Sequence, residues 1–247
     1  MAACAKVIHL NKRSIAMLKK DLIFRNPLRL IGEGAANILD DGQFGAVLAR
    51  AGVGKTSFLV QLALDSLLRG KNVLHISLEQ PVKKVCLWYE EVFRNISKEY
   101  RLDNNNELWE EILTHRFIMT FNAERFRVPR LEERLADLTE QGIFFPQVVL
   151  IDGLIFDDGV RDLLSELKLV AREAPFPVWF TIKIRGEDES GSGGVPSVIS
   201  HVSDLFDIMI RLVSEVKGVH VELLKSKEGV SDPHLVLDPS TLLIKQS

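Results

Sequence analysis

The sequence predicts an α/β fold, with a mainly parallel sheet, helices on both faces and a C-terminal antiparallel β-hairpin extension. Three observations carry that prediction. Asn72 to Leu78 (NVLHISL), Gln147 to Ile151 (QVVLI) and Val178 to Ile184 (VWFTIKI) are short, mostly apolar runs, as expected of strands covered on both faces. Segments of helical periodicity separate them, the order of a parallel sheet. Near the end, Ile208 to Val213 and Val219 to Leu224 join through Lys217-Gly218 and read as an antiparallel hairpin. At 247 residues, without a dividing linker or an internal repeat, the chain suits one such domain, residues 32–247, behind a basic arm or helix, residues 1–31.

Taken in order, the arm comes first. Lys6, Lys12, Arg13, Lys19, Lys20, Arg25 and Arg29 stand there against Asp21 alone. Ile15, Leu18, Leu22 and Ile23 recur at helical spacing, with Ser14 available as an N-cap. Such a helix covers either the domain's own apolar surface or a neighbouring subunit or partner. Asn26-Pro27 breaks it, and Gly32 to Gly45 is loop-rich. Phe44 to Leu48 reads as a strand, Ala49 to Gly54 as a loop, and a helix opens at Lys55 and closes near Gly70. With NVLHISL this makes a βαβ unit, for which a right-handed crossover is expected. Pro81 starts a helix to about Tyr100, apolar at Val85, Val92, Phe93 and Ile96. Asn104-Asn105-Asn106 is a loop, followed by a short helix (Leu108 to Leu113) and an edge strand (Phe117 to Phe121). Helices are expected over Pro129 to Glu140 and Val160 to Ala171. Arg185 to Val195 is a Gly/Ser/acidic loop, and short strands near Leu235 and Leu242 extend the hairpin.

Within the first strand–loop–helix lies Ala49-x-x-x-x-Gly54-Lys55-Thr56, the P-loop pattern with Ala in place of its first Gly. Gly52 and Gly54 let the backbone curl so that successive N–H groups point inward at phosphate oxygens, and the new helix adds its positive end. The phosphate-binding stretch is therefore Ala49, Arg50, Ala51, Gly52, Val53, Gly54, Lys55, Thr56 and Ser57. Lys55 supplies an ammonium for the β- and γ-phosphates, and the Thr56 hydroxyl suits Mg²⁺. In an open parallel sheet, ligands gather at the carboxyl ends of the strands. Glu79, Asp152 and Lys183 fall there. Asp152, after four apolar residues, has the Walker B form of a Mg²⁺-shell carboxylate. Glu79 suits polarising a water for attack on the γ-phosphate.

ARAGVGKTSFLVQLAL, VLHISLEQP and VVLIDG resemble the RecA-like ATPases, especially the KaiC-type and DnaB-helicase-type branches. The resemblance spans roughly Leu39 to the C-terminus and is strongest over the P-loop and Glu79 strands. It implies a RecA-like P-loop NTPase core whose Walker B strand is not directly beside the P-loop strand. It also implies a catalytic glutamate at Glu79, ATP and Mg²⁺ as ligands, and assembly into a hexameric ring or filament with ATP at subunit interfaces. Leu223-Leu224-Lys225-Ser226-Lys227 is similar to the family's Lys-x-Lys element, which makes Lys225 and Lys227 candidates to reach a neighbour's γ-phosphate. Where the family often has a γ-phosphate-sensing Gln, this chain has Lys183, which donates to phosphate and accepts nothing. No Asn-Lys-x-Asp guanine-reading element is present, so the expectation is ATP.

Composition narrows the partners. A net charge of −3 gives no global pull toward nucleic acid or an anionic membrane. The loops after the Walker B strand and the next strand carry Asp157-Asp158 and Glu187-Asp188-Glu189, which would repel a phosphate backbone. No apolar run has membrane-span length, and Cys4 and Cys86 have no metal-ligand spacing. The first twenty residues lack acids but are not Ser-rich, so the expectation is a cytoplasmic protein without a leader. The reading is a Mg²⁺-dependent ATPase coupled to protein partners. The alternatives are a non-hydrolysing ATP-binding regulatory module and a DNA-dependent motor using the basic arm.

Overall fold

Side-chain alternation along the strands sorts the apolar residues to two sides of a sheet, and a helical layer covers each side. The computed structural model describes residues 15–31, 38–102, 105–186, 194–216, 218–226, 235–241 and 243–246. The strands are β1 (Phe44–Ala49), β2 (Val73–Ser77), β3 (Arg116–Thr120), β4 (Val148–Asp152), β5 (Val178–Lys183), β6 (Ile208–Glu215), β7 (Gly218–Lys225), β8 (Leu235–Leu237) and β9 (Ile244–Gln246). Residues 15–25 form helix α1. Further helices are α2 (Lys55–Leu68), α3 (Val82–Glu99), α4 (Asn105–Leu113), α5 (Val128–Glu140), α6 (Val160–Glu173) and the single turn α7 (Ser197–Ser200).

Among the described residues the nine strands make one mixed sheet in the order β3-β2-β4-β5-β1-β6-β7-β8-β9. The pairings from β3 to β6 are parallel. Those from β6 to β9 are antiparallel. The antiparallel part is thus larger than one appended hairpin, because β8 and β9 continue the ladder across the sheet. Strand β5 lies between β1 and β4.

Phe44, Ala46 and Leu48 of β1 face a cluster with α5 and α6, while Val47 and Ala49 face one with α2 and α3. Every residue of β1, β2 and β4 is buried, as their near-continuous apolar sequences require. Leu22 of α1, with Leu28 and Ile31, is buried in the α2–α3 cluster, so this part of the basic arm covers the domain's own surface. Met17 and Phe24 on the same helix stay exposed.

Several boundaries shift. Strand β1 runs one residue further, to Ala49, and β3 starts and stops one residue earlier than expected. Helix α4 begins at Asn105, so Asn105 and Asn106, read as loop, open the helix, while Asn104 lies outside the described residues. The last strand is Ile244–Gln246 rather than near Leu242, because Asp238 closes a turn by accepting from the Ser240 and Thr241 amides. Residues 1–14, Glu187-Asp188-Glu189 and Lys227 lie outside the described residues.

Candidate nucleotide site

At the carboxyl ends of β1, β2, β4 and β5 lies a cleft of about 420 Å³, lined by the P-loop residues Ala51, Gly52 and Gly54 to Ser57, with Glu79, Trp88, Asp152 to Leu154, Thr181 and Lys183. The loop after β1 turns back at Gly54, whose φ of 109° is left-handed, and α2 begins at the next residue. A side chain at Gly54 would also lie 2.6 Å from Leu237 Cδ2, so the end of β8 rests against the P-loop. No side chain caps α2. Its first amides therefore point into the cleft with the positive end of the helix dipole.

Lys55 Nζ donates to the carbonyls of Ala49 and Arg50, both at 3.1 Å. Burial pulls its pKa below the ordinary lysine value. The Asp152 and Glu79 carboxylates oppose that shift, and Lys183 adds to it. The Thr56 hydroxyl donates to Asp152 Oδ2 at 3.0 Å, joining residues 96 positions apart. Asp152 is 7% exposed, and its Oδ1 accepts from the Thr181 hydroxyl. Thr181 in turn accepts from the Gly153 amide at 3.1 Å. Thr181, two residues before Lys183 on β5, thus fixes the Asp152 carboxylate.

Glu79 follows β2 and lies across the turn after β4. Gly153 has φ 90°, and a Cβ there would come within 2.7 Å of Glu79 Cγ. The turn is thus tight because Glu79 occupies the space beside Asp152. Lys183 closes the far wall from the end of β5, where Ala49 pairs with it in register. The sequence-predicted residues of the P-loop, Glu79, Asp152 and Lys183 are therefore brought together. Lys225 is not among them. It ends β7, pairs in register with Met209 near the start of β6, and donates to the Ser203 carbonyl at 3.1 Å. That position is at the opposite end of the sheet from the P-loop of its own chain.

Two residues were missed by the sequence reading. Trp88 was left out although it lies one turn from Val85 on the α3 face turned to α2, and it brings an indole into the cleft with Lys84 Nζ 5.4 Å from its ring centre. Thr181 was passed over as one residue of an apolar strand. Among the described residues no group of three or more His, Cys, Asp or Glu gathers as a metal site. The Thr56 hydroxyl beside a carboxylate nevertheless fits Mg²⁺, which takes few protein ligands and completes its shell with phosphate and water. No protein-family model and no curated protein matches this chain. No helix among the described residues is long and apolar enough to cross a membrane.

Proposed function

We propose that the chain is a Mg²⁺-dependent ATPase of the RecA/KaiC type that works as an oligomer and couples turnover to a protein partner. The observation that carries this reading is the Thr56–Asp152 hydrogen bond, which unites the P-loop and the Walker B strand at one point. The intervening β5 supports the RecA-like core that the resemblance implies. In this reading the amides of Gly52 to Thr56 cradle the phosphates, and Lys55 turns from the Ala49 and Arg50 carbonyls to the β- and γ-phosphates. Thr56 and Asp152 would hold Mg²⁺, which would supply charge neutralisation at the phosphates. Glu79 orients a water and takes its proton as attack begins. Lys183 donates to the γ-phosphate. Trp88 offers its face to the base.

Lys225 stands too far from its own P-loop to serve it, so it and Lys227 act on a neighbour's nucleotide in a ring or filament. Exposed Asp157 and Asp158 beside the cleft disfavour nucleic acid as partner. One observation favours a second reading, ATP held without turnover: Lys183 sits where a hydrogen-bond acceptor would relay the γ-phosphate. Turnover by the pure chain, with and without single-stranded DNA, separates the readings. Hydrolysis unaffected by DNA is expected. Binding without turnover favours the second reading, and turnover only with DNA favours a motor.

A further inference from the structure

On the α5–α6 side of the sheet, next to the nucleotide cleft, runs a second groove of about 430 Å³. Its floor is apolar, from Phe126, Val160 and Leu163, and Ile155 stands 49% exposed at its mouth. Leu154 belongs to both hollows, two residues after Asp152. The rim is acidic. Glu124, Asp157, Asp162 and Glu166 line it, against the single cation Arg127. Arg127 is turned to the backbone, donating to the Glu124 and Phe126 carbonyls. Of the four carboxylates only Asp157 has a partner among the described residues, the amide of Gly159. An apolar floor within unpaired carboxylates is the complement of a basic segment carrying apolar side chains.

This chain contains such a segment. Residues 1–14 lie outside the described residues, and their sequence holds Lys6, Lys12 and Arg13, the apolar Val7, Ile8 and Leu10, and no carboxylate. We infer that the groove receives residues 1–14 of a second copy. Placement argues for a second copy over the same one. Helix α1, to which the segment is attached, packs with the α2–α3 cluster on the other face of the sheet. Lys19, in the N-terminal half of α1, donates to Glu111 in the last turn of α4, just before β3 begins, whereas the groove opens at the other end of the sheet, where α2 begins. The segment therefore leaves its own chain at the face and end remote from the groove. Each copy then gives one arm and receives one, reciprocally in a two-fold dimer or in succession round a ring or along a filament. The inference stands without the ATPase reading, since no nucleotide takes part in the contact.

The test uses the full chain in two tagged forms of different size. Both forms carry Cys86→Ser, which removes the other thiol, and one adds Ile155→Cys and Cys4→Ser. The other keeps Cys4 in the arm and Ile155 in the groove. Mild oxidation should give a disulfide-linked product of the two sizes. Reversing the rim with Asp162→Lys and Glu166→Lys should lower its yield by about tenfold at low salt. Lys12→Glu and Arg13→Glu in the arm of the other form should then restore it. Asp162 and Glu166 are exposed, so their reversal leaves the core intact, and circular dichroism checks the fold of every form. No mixed product overturns the inference, as does a product indifferent to rim charge. In a third form, with Ile155→Cys and Cys4 kept, linkage within one copy, when the first two forms give no mixed product, shows an arm bound in its own chain and also overturns it. Loss by rim reversal without rescue by the arm assigns the groove to another basic partner, against a second copy.

Discussion

Asp152 accepts from two hydroxyls, Thr56 and Thr181, and Glu79 fills the space over Gly153 beside it. Two carboxylates so close divide their work by surroundings. Asp152 is buried and fixed, and suits a metal shell. Glu79 is exposed and has no fixed hydrogen-bond partner among the described residues, and suits proton transfer to and from water. Glu79→Gln should therefore keep ATP affinity and lose about a hundredfold or more in turnover, measured in a single-turnover assay. Unchanged turnover would return Glu79 to a turn residue. Residue types and their spacing made Glu79, Asp152 and the P-loop legible, since each is a polar group ending an apolar run. Trp88 and Thr181 were not legible, because which helix face turns to the cleft depends on how α3 packs on α2.

Strand β2 and helix α3 are tied by one buried polar contact, His75 Nδ1 with the Tyr89 hydroxyl at 3.1 Å. His75 Nε2 is buried without a hydrogen-bond partner among the described residues. Burial lowers the His75 pKa to about 4, with Arg116 adding to the shift and Asp152 opposing it. The unfolded chain takes up this proton first, near the ordinary value of 6.5. The contribution to stability is therefore complete above that value and is lost as pH falls toward the folded value. From about pH 7 to about pH 5 the loss should be about 2 kcal/mol. His75→Asn, whatever its stability at neutral pH, should show a correspondingly shallower decline in urea midpoint. Equal pH slopes in the two proteins would contradict the assignment. The sequence shows β2 as an apolar run with a histidine inside it, and nothing local says that a tyrosine of the next helix meets that ring. Short strands near Leu235 and Leu242 were legible, but the register of β8 and the place of β9 were hidden for the same reason. Short strands give weak local signals, and their register comes from contacts such as Leu237 on Gly54 and the Ile244 amide donating to Gln61 at 2.8 Å.

At the scale of the molecule, the sheet puts its P-loop at one end and Lys225 at the other. A lysine so placed does not serve its own chain's cleft, and in the proposed reading it acts on another copy's nucleotide, which the sequence could suggest by resemblance but could not orient. Two inactive proteins, Glu79→Gln and the double variant Lys225→Ala with Lys227→Ala, should regain hydrolysis when mixed, because some interfaces then combine an intact glutamate with intact lysines. A mixture that exchanges subunits and stays inert would exclude the shared site. Beneath the expectations about turnover lies nucleotide binding in the cleft between β1 and β4. Calorimetric titration of ATP with Mg²⁺ into the chain and into Lys55→Ala tests it most directly. The wild type should bind with a stoichiometry near one per chain, and the folded variant should lose most of that affinity. Equal binding by both, or none by the wild type, would contradict the account.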